Sequence, residues 1–283
     1  SLLWTGQNSY LIRASDKKHY GENAGFFNAL QSLGSAIGVF SLGFLISVFL
    51  FDLSFLFFSI IPMLGFLLLF KLKDLKAEQK KTNHFILVKK SFTSKTALRL
   101  SGIWFAVNFS YGLVIGIIPL QINTVLGMSY VGVLFSIFHI LPAFLSYFFG
   151  KLSDVEGRRK SILFSYILLV VGLIFLSLLD HPVFLILGIF LFALNNAIII
   201  PITSALVGDV STKENLEYLT ALFWMVQNTG VVSALILSQI FKSEIGLLYL
   251  ISSLVIIGSL IILLPLMHKS TKKIREQIQS EVK

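Results

Sequence analysis

Residues 150–160 read GKLSDVEGRRK and lie between two long apolar segments. Gly150 and Gly157 let backbones approach closely, Asp154 brings a carboxylate, and Arg158, Arg159 and Lys160 cluster cations. A carboxylate followed by paired cations between two spans reads as a charged hinge joining two membrane helices. The plainer alternative is a polar loop that caps both helices.

The rest of the chain suits such a setting. Of its 283 residues 55% are hydrophobic, 27 are Phe, and the mean hydropathy is +0.85, too apolar for a water-soluble domain. With no cysteine, disulfides, thiolate metal sites and cysteine nucleophiles are excluded. Residue 1 falls in an apolar run without an initiator Met or a signal peptide, as expected of a piece of a longer chain.

Residues 1–12 read as the end of a helix, 13–23 as a short polar loop, and 24–50 and 53–71 as two spans meeting at Asp52. Each reaches the roughly 20 residues that a hydrocarbon core requires. Residues 71–98 carry eight lysines against Asp74 and Glu78 and read as a basic linker between domains. Within it, 84–92 interleave apolar residues with lysines, which suits either a helix on an anionic leaflet or a solvated linker. Six more spans near 99–122, 127–149, 161–179, 182–207, 217–241 and 244–267 precede a basic tail. The expectation is an all-α membrane protein with eight complete transmembrane helices and a stub. Residues 1–70 then end one half, 71–98 link, 99–268 form a six-helix half and 269–283 a tail.

The formal charge of +9 raises the question of a nucleic-acid partner, and the placement of the cations answers it. The loops at 13–23, 71–99, 150–160 and 208–217 and the tail hold 22 of the 23 Lys and Arg, leaving Lys242 alone on the other side. The positive-inside rule then puts linker, hinge and C-terminus in the cytoplasm, and the lipid bilayer accounts for the charge without nucleic acid.

The 150–160 stretch resembles the Gly-x-Leu-x-Asp-x-x-Gly-Arg-Arg/Lys loop of the major facilitator superfamily of secondary transporters, found there between helices 2 and 3 and again between 8 and 9. An internal repeat agrees: shifted by 196, Ser15, Lys17, Phe27, Gln31 and Gly34 fall on Ser211, Lys213, Phe223, Gln227 and Gly230. Such symmetry is common in transporters. The resemblance implies that the chain runs from the end of helix 4 to helix 12. Leu3-Trp4-Thr5-Gly6-Gln7, Ser9-Tyr10-Leu11, Gly25-Phe26-Phe27, Gln31-Ser32 and Gly34 resemble the Unc-ninety-three-like branch. Gly25, Gly34 and Gly38 fit the family's helix-5 glycine pattern, with Glu22 beside them as an acidic partner at the contact. Val39 replaces the usual Pro, which argues against a proton-coupled drug antiporter.

Polar residues inside a bilayer require a partner, water or a solute. The spans at 53–71, 161–179 and 244–267 contain no Asn, Gln, His or charged residue between their ends. The family resemblance makes these helices 6, 9 and 12, which face lipid. The remaining helices carry Gln7, Asn8, Asn28, Gln31, Asn108, Gln121, His139, Asn195, Asn196, Gln227, Asn228 and Gln239. The candidate substrate cavity is built from Gln7, Asn28, Gln31, Asn108, His139, Asn195, Trp224, Gln227 and Asn228, with Leu168, Val171 and Leu254 expected toward lipid. His139 suits either proton or solute binding, or a hydrogen bond between helices. Trp224, Gln227 and Asn228, spaced i, i+3, i+4, present one face to a ligand or to a neighbouring helix. Asn195 and Asn196 serve a solute or the backbone freed near Pro201.

No phosphate-binding glycine loop, metal-ligand spacing or catalytic constellation is present in the sequence, so the expectation is no enzyme, no cofactor and no metal. The reading is a monomeric transporter moving a small solute, with or without a coupled ion, by alternating access. The other reading is a non-transporting regulatory or trafficking partner, as the Unc-ninety-three-like resemblance implies for some members.

Overall fold

The computed structural model describes residues 2–48, 59–60, 65, 67, 70, 91–178, 181–267 and 269–282. These form helices α1 (Leu2–Ala14), α2 (Tyr20–Val48), α3 (Lys95–Val125), α4 (Met128–Glu156), α5 (Arg158–Ser177), α6 (Pro182–Val210), α7 (Leu216–Ile240), α8 (Ile245–Met267) and α9 (Thr271–Val282). A 3₁₀ turn at Lys17–His19 leads into α2, and the described residues include no strand. Among the described residues six helices, α3 to α8, are long and apolar enough to cross a membrane. They coincide with the six spans read from the sequence after the linker. Apart from 59–60, 65, 67 and 70, the expected span at 53–71 and the linker up to residue 90 lie outside the described residues.

Three expected polar connections are more helical than their composition suggests. In the 150–160 stretch α4 continues through Asp154 to Glu156, and only Gly157 interrupts the chain before α5 starts at Arg158. Charged side chains leave the backbone ladder intact, whereas Gly157 at φ 91° occupies a region closed to residues with a Cβ. The 13–23 loop is likewise shortened by α1 reaching Ala14 and α2 starting at Tyr20. The expected basic tail is the amphipathic helix α9.

The helices pack through small residues, as expected where lipid supplies no hydrophobic drive between helices. A Cβ on Gly150 would overlap the carbonyl oxygen of Gly21, and one on Gly25 that of Ser146, so α2 and α4 touch backbone to backbone. In the pair α3–α7, a Cβ on Gly230 would lie 2.6 Å from the Phe105 oxygen. Some buried amides and hydroxyls tie helices together. Gln121 accepts from the Tyr249 hydroxyl at 2.9 Å and donates to the Leu176 oxygen at 3.3 Å, tying α3 to α8 and α5.

α9 lies across the end of the bundle with Ile274 and Ile278 buried, each contributing about 2 kcal/mol of apolar burial. Arg275 Nε donates to the Asp209 backbone oxygen at 2.8 Å. At the other end Glu281 accepts from the Ser94 and Thr96 hydroxyls, each at 2.6 Å, and from the Thr96 N–H at 3.0 Å. Ser94 is also the N-cap of α3, accepting from the Ala97 N–H at 3.1 Å. Burial raises the Glu281 pKa, but the hydrogen bonds from Ser94 and Thr96 outweigh it and bring the carboxyl down to about 2. A folded pKa below the ordinary value stabilises α9 docking above the ordinary carboxylate range, and this is lost as pH falls toward 2. The protection of α9 amides, corrected for the intrinsic pH dependence of exchange, should therefore fall as the pH is lowered through that window. Glu281→Gln should show weaker protection at neutral pH and a flatter pH profile; identical profiles would exclude the clasp.

Candidate functional site

At the basic end of the bundle the carboxylate of Asp154, in the last turn of α4, caps the start of α2. Its Oδ1 accepts from the Gly21 N–H at 2.9 Å and its Oδ2 from the Glu22 N–H at 2.7 Å. These are two of the N–H groups that a helix start leaves without internal partners, at the positive end of its dipole. Gly21 makes the approach feasible, because a Cβ there would lie 2.8 Å from Asp154 Oδ1.

Arg158 orients that carboxylate. Its Nη2 lies 2.6 Å from Asp154 Oδ1, its Nε donates to Asp209 Oδ2 at 2.9 Å, and its Nη1 donates to the Ser153 hydroxyl at 2.6 Å. Asp154 and Arg158 are each only 8% exposed, so Arg158 sits between the carboxylates of Asp154 and Asp209 with little solvent screening. Asp209 closes α6 and meets Arg275 of α9 through its backbone oxygen. Around the rim, Glu22 accepts from the Tyr147 hydroxyl at 2.6 Å, meets His19 Nδ1 at 2.8 Å and lies 3.7 Å from Lys151 Nζ. A second link joins α1 to α7: Arg13 Nε donates to Glu217 at 3.1 Å, its Nη2 also reaches Glu217, and Nη2 meets the Lys213 oxygen at 3.4 Å.

Of the residues singled out in the sequence, Gly150, Asp154, Arg158, Glu22 and Gly25 converge in this cluster, and Gly157 forms the turn beside it. Arg159 is exposed and has no partner among the described residues. No described residue lies within 4 Å of a Cβ built on Gly34 or Gly38. Sequence reasoning missed Gly21, Arg13, Asp209, Glu217 and Arg275. The 196-residue shift carried a signal for some of them, since it sets Arg13 on Asp209 and Gly21 on Glu217.

Deeper in the bundle, α1, α2, α3, α4, α6 and α7 enclose a cavity of about 330 Å³. Gln7, Asn28, Gln31, Asn108, His139, Trp224 and Gln227 line it, and α5 and α8 contribute none of its lining among the described residues. Asn28 Nδ2 donates to the Ser146 hydroxyl at 2.8 Å, and Asn108 Nδ2 donates to the Trp104 oxygen at 3.0 Å. Two candidates lie elsewhere. Asn195 donates to the Ser165 oxygen at 2.8 Å and hydroxyl at 2.6 Å, fastening α6 to α5. Asn228 is exposed and donates back to the Trp224 oxygen at 2.8 Å. Consecutive helical residues point roughly 100° apart, which lets Asn195 turn from the cavity while Asn196 lines it, and Asn228 turn away while Gln227 lines it. Asn196, weighed beside Asn195 for a solute or the freed backbone, lines the cavity, as do Trp104, Tyr111, Thr203 and Ser204, which were not expected there. Leu254 is 69% exposed and Val171 is exposed, as expected of outward residues, whereas Leu168 is half-buried and packs against the core.

Among the described residues no three His, Asp or Glu side chains are grouped as a metal site. No curated protein matches the chain. The model of the Major Facilitator Superfamily matches it over residues 1–131 and again over 100–282. Together these matches cover nearly the whole chain, in an all-α fold with six helices able to span a membrane. The chain is thus an integral, multi-pass membrane protein and belongs to the Major Facilitator Superfamily.

Proposed function

We propose that this chain moves a small solute across the membrane by alternating access, with the central cavity as the solute's station and the Asp154 cluster as the gate. The observation that carries the reading is the bridge itself: a carboxylate of α4 holds the first turn of α2, one helical turn from the cavity lining that begins at Ala24. In this reading residues 1–70 and 99–268 belong to two bodies joined by the linker 71–98. Helices α1 to α8 correspond to family helices 4, 5 and 7 to 12. The basic end faces the cytoplasm, and the described state is closed on that side. In this reading the protein works as a monomer, and the work is movement of a solute rather than a bond-making reaction.

The Unc-ninety-three-like resemblance of the first forty residues keeps a non-transporting partner as the competing assignment. Uptake by the full-length protein in liposomes decides between them: accumulation of a solute supports transport, and none across a broad solute panel supports the partner role.

Opening the gate requires Asp154 to leave the start of α2. A partly buried carboxylate at a helix N-terminus contributes up to about 2 kcal/mol, equivalent to roughly a thirtyfold shift between two states. Asp154→Asn retains the side-chain size and leaves the Arg158–Asp209 pair in place. It should favour the state open on the basic side and slow uptake without loss of folded protein. Spectroscopic distances between labels at Lys18 and Glu156 should lengthen; an unchanged distribution with normal uptake would reduce the cluster to a connector.

The cavity is tested by accessibility, for which a chain without cysteine gives no background. Cysteines at Gln31, Asn108 and Gln227 should react with a membrane-impermeant thiol reagent from one side, whereas cysteines at Val171 and Leu254 should not. Equal reaction of both groups would remove the cavity from the transport path.

A further inference from the structure

Five side-chain amides are almost completely buried in the described bundle, and four of them are spent on protein partners. Asn28 (6% exposed) meets Ser146, Gln121 (5%) meets Tyr249 and Leu176, Asn195 (1%) meets Ser165, and Asn215 (4%) accepts from Thr212. The fifth, Asn196 (5%), has no hydrogen-bond partner among the described residues, and it lines the cavity. Native proteins rarely leave a buried amide unmatched, and those that do so beside a cavity offer it to water or to a ligand. We infer that Asn196 anchors a solute subsite for a neutral ring compound whose rim carries adjacent hydroxyl groups, either a free monosaccharide or the ribose of a nucleoside.

The chemistry of an amide selects this class. Its oxygen accepts and its nitrogen donates side by side, so the matching group must do both. Neighbouring hydroxyls do so. A carboxylate only accepts and leaves Asn196 Oδ1 unmatched, while an ammonium only donates and leaves Nδ2 unmatched. Three further cavity amides, Gln7 on α1, Gln31 on α2 and Gln227 on α7, also have no partner among the described residues, so donor–acceptor pairs converge from four helices. Trp104 adds a flat apolar surface to the lining and is held rigid by stacking on Phe223, with ring centroids 4.1 Å apart and planes 10° from parallel. A rigid aromatic plane beside amides from several sides fits a ring with an apolar face and a polar edge. The cavity, about 330 Å³, stands at the small end of the roughly 300–1,000 Å³ usual for small-molecule sites.

This subsite rests on the proposal that the cavity is the solute's station, and the test separates the two. Full-length protein in lipid nanodiscs is titrated, by tryptophan fluorescence, with four sets of probes: aldohexoses and aldopentoses, ribonucleosides, short carboxylates, and quaternary ammonium compounds. Saturable binding confined to the first set identifies a monosaccharide, and binding of the second identifies the ribose of a nucleoside. Asn196→Leu, similar in size, should weaken that binding roughly tenfold to a hundredfold by removing the matched amide. The unfolding temperature of the solute-free protein should stay unchanged or rise in this variant, because no protein hydrogen bond is lost; a fall would mark Asn196 as structural and overturn the assignment. Binding only of carboxylates or ammonium compounds, or unaltered affinity in Asn196→Leu, would also overturn it. If liposomes take up some other solute while none of the hydroxylated probes binds, the subsite fails and the transport reading stands. If nothing is taken up or bound, both fail.

Discussion

The start of a helix leaves N–H groups without partners, and inside a membrane protein something must meet them. Here the carboxylate of Asp154, carried by a different helix, does so for α2. Much of the basic end follows from that placement. Gly21, Gly25 and Gly150 are small because α2 and α4 must touch backbone to backbone for the carboxylate to reach. Arg158 is buried because an almost fully covered carboxylate needs a counter-charge, and Asp209 is present because one carboxylate does not use the whole guanidinium fork. Arg275 then fastens α9 to the same end of α6. The result is one connected polar path from the C-terminal helix to the start of α2.

The same accounting separates the two kinds of amide within the bundle. Gln121, which ties α3 to α5 and α8, meets partners of fixed geometry away from the cavity. Of the amides that border the cavity, Asn28 and Asn108 meet protein partners, whereas Gln31 and Gln227 have none among the described residues. Between them stands the Asn195–Asn196 pair, in which adjacent identical side chains serve the two purposes on two faces of α6.

The fold was legible in the sequence because its strongest signals are physical and coarse. Apolar runs of bilayer length located α3 to α8, and the separation of amide-bearing spans from purely apolar ones distinguished α5 and α8 from the helices that line the cavity. Within the site, the carboxylate, its arginine and the glycines at 25 and 150 were legible, because charge next to small residues at a membrane edge has few other uses. Helix ends were not. Polarity marks where a chain leaves the hydrocarbon, not where its backbone ladder stops, so the 150–160 stretch read as a loop although it is helix up to Glu156. Contacts between distant segments, such as Arg13 with Glu217 or Glu281 with Thr96, leave no local pattern to read. Nor does composition tell which of two adjacent asparagines faces the cavity.

The 196-residue repeat is also structural: Ala14 + 196 gives Val210 and Tyr20 + 196 gives Leu216, so the end of α1 and the start of α2 map onto the end of α6 and the start of α7. Charge repeats at Lys17 and Lys213 but not at the helix ends. Arg13 stands where the second copy has Asp209, and it crosses to Glu217, whereas Asp209 binds Arg158 on the helix packed beside it. Two identical copies would offer each other equal surfaces and would pair as readily with themselves as with one another. Here Arg13 of the first copy meets Glu217 of the second, while Asp209 turns to Arg158 outside both, so the two copies present unequal surfaces and their contacts are free to differ in strength.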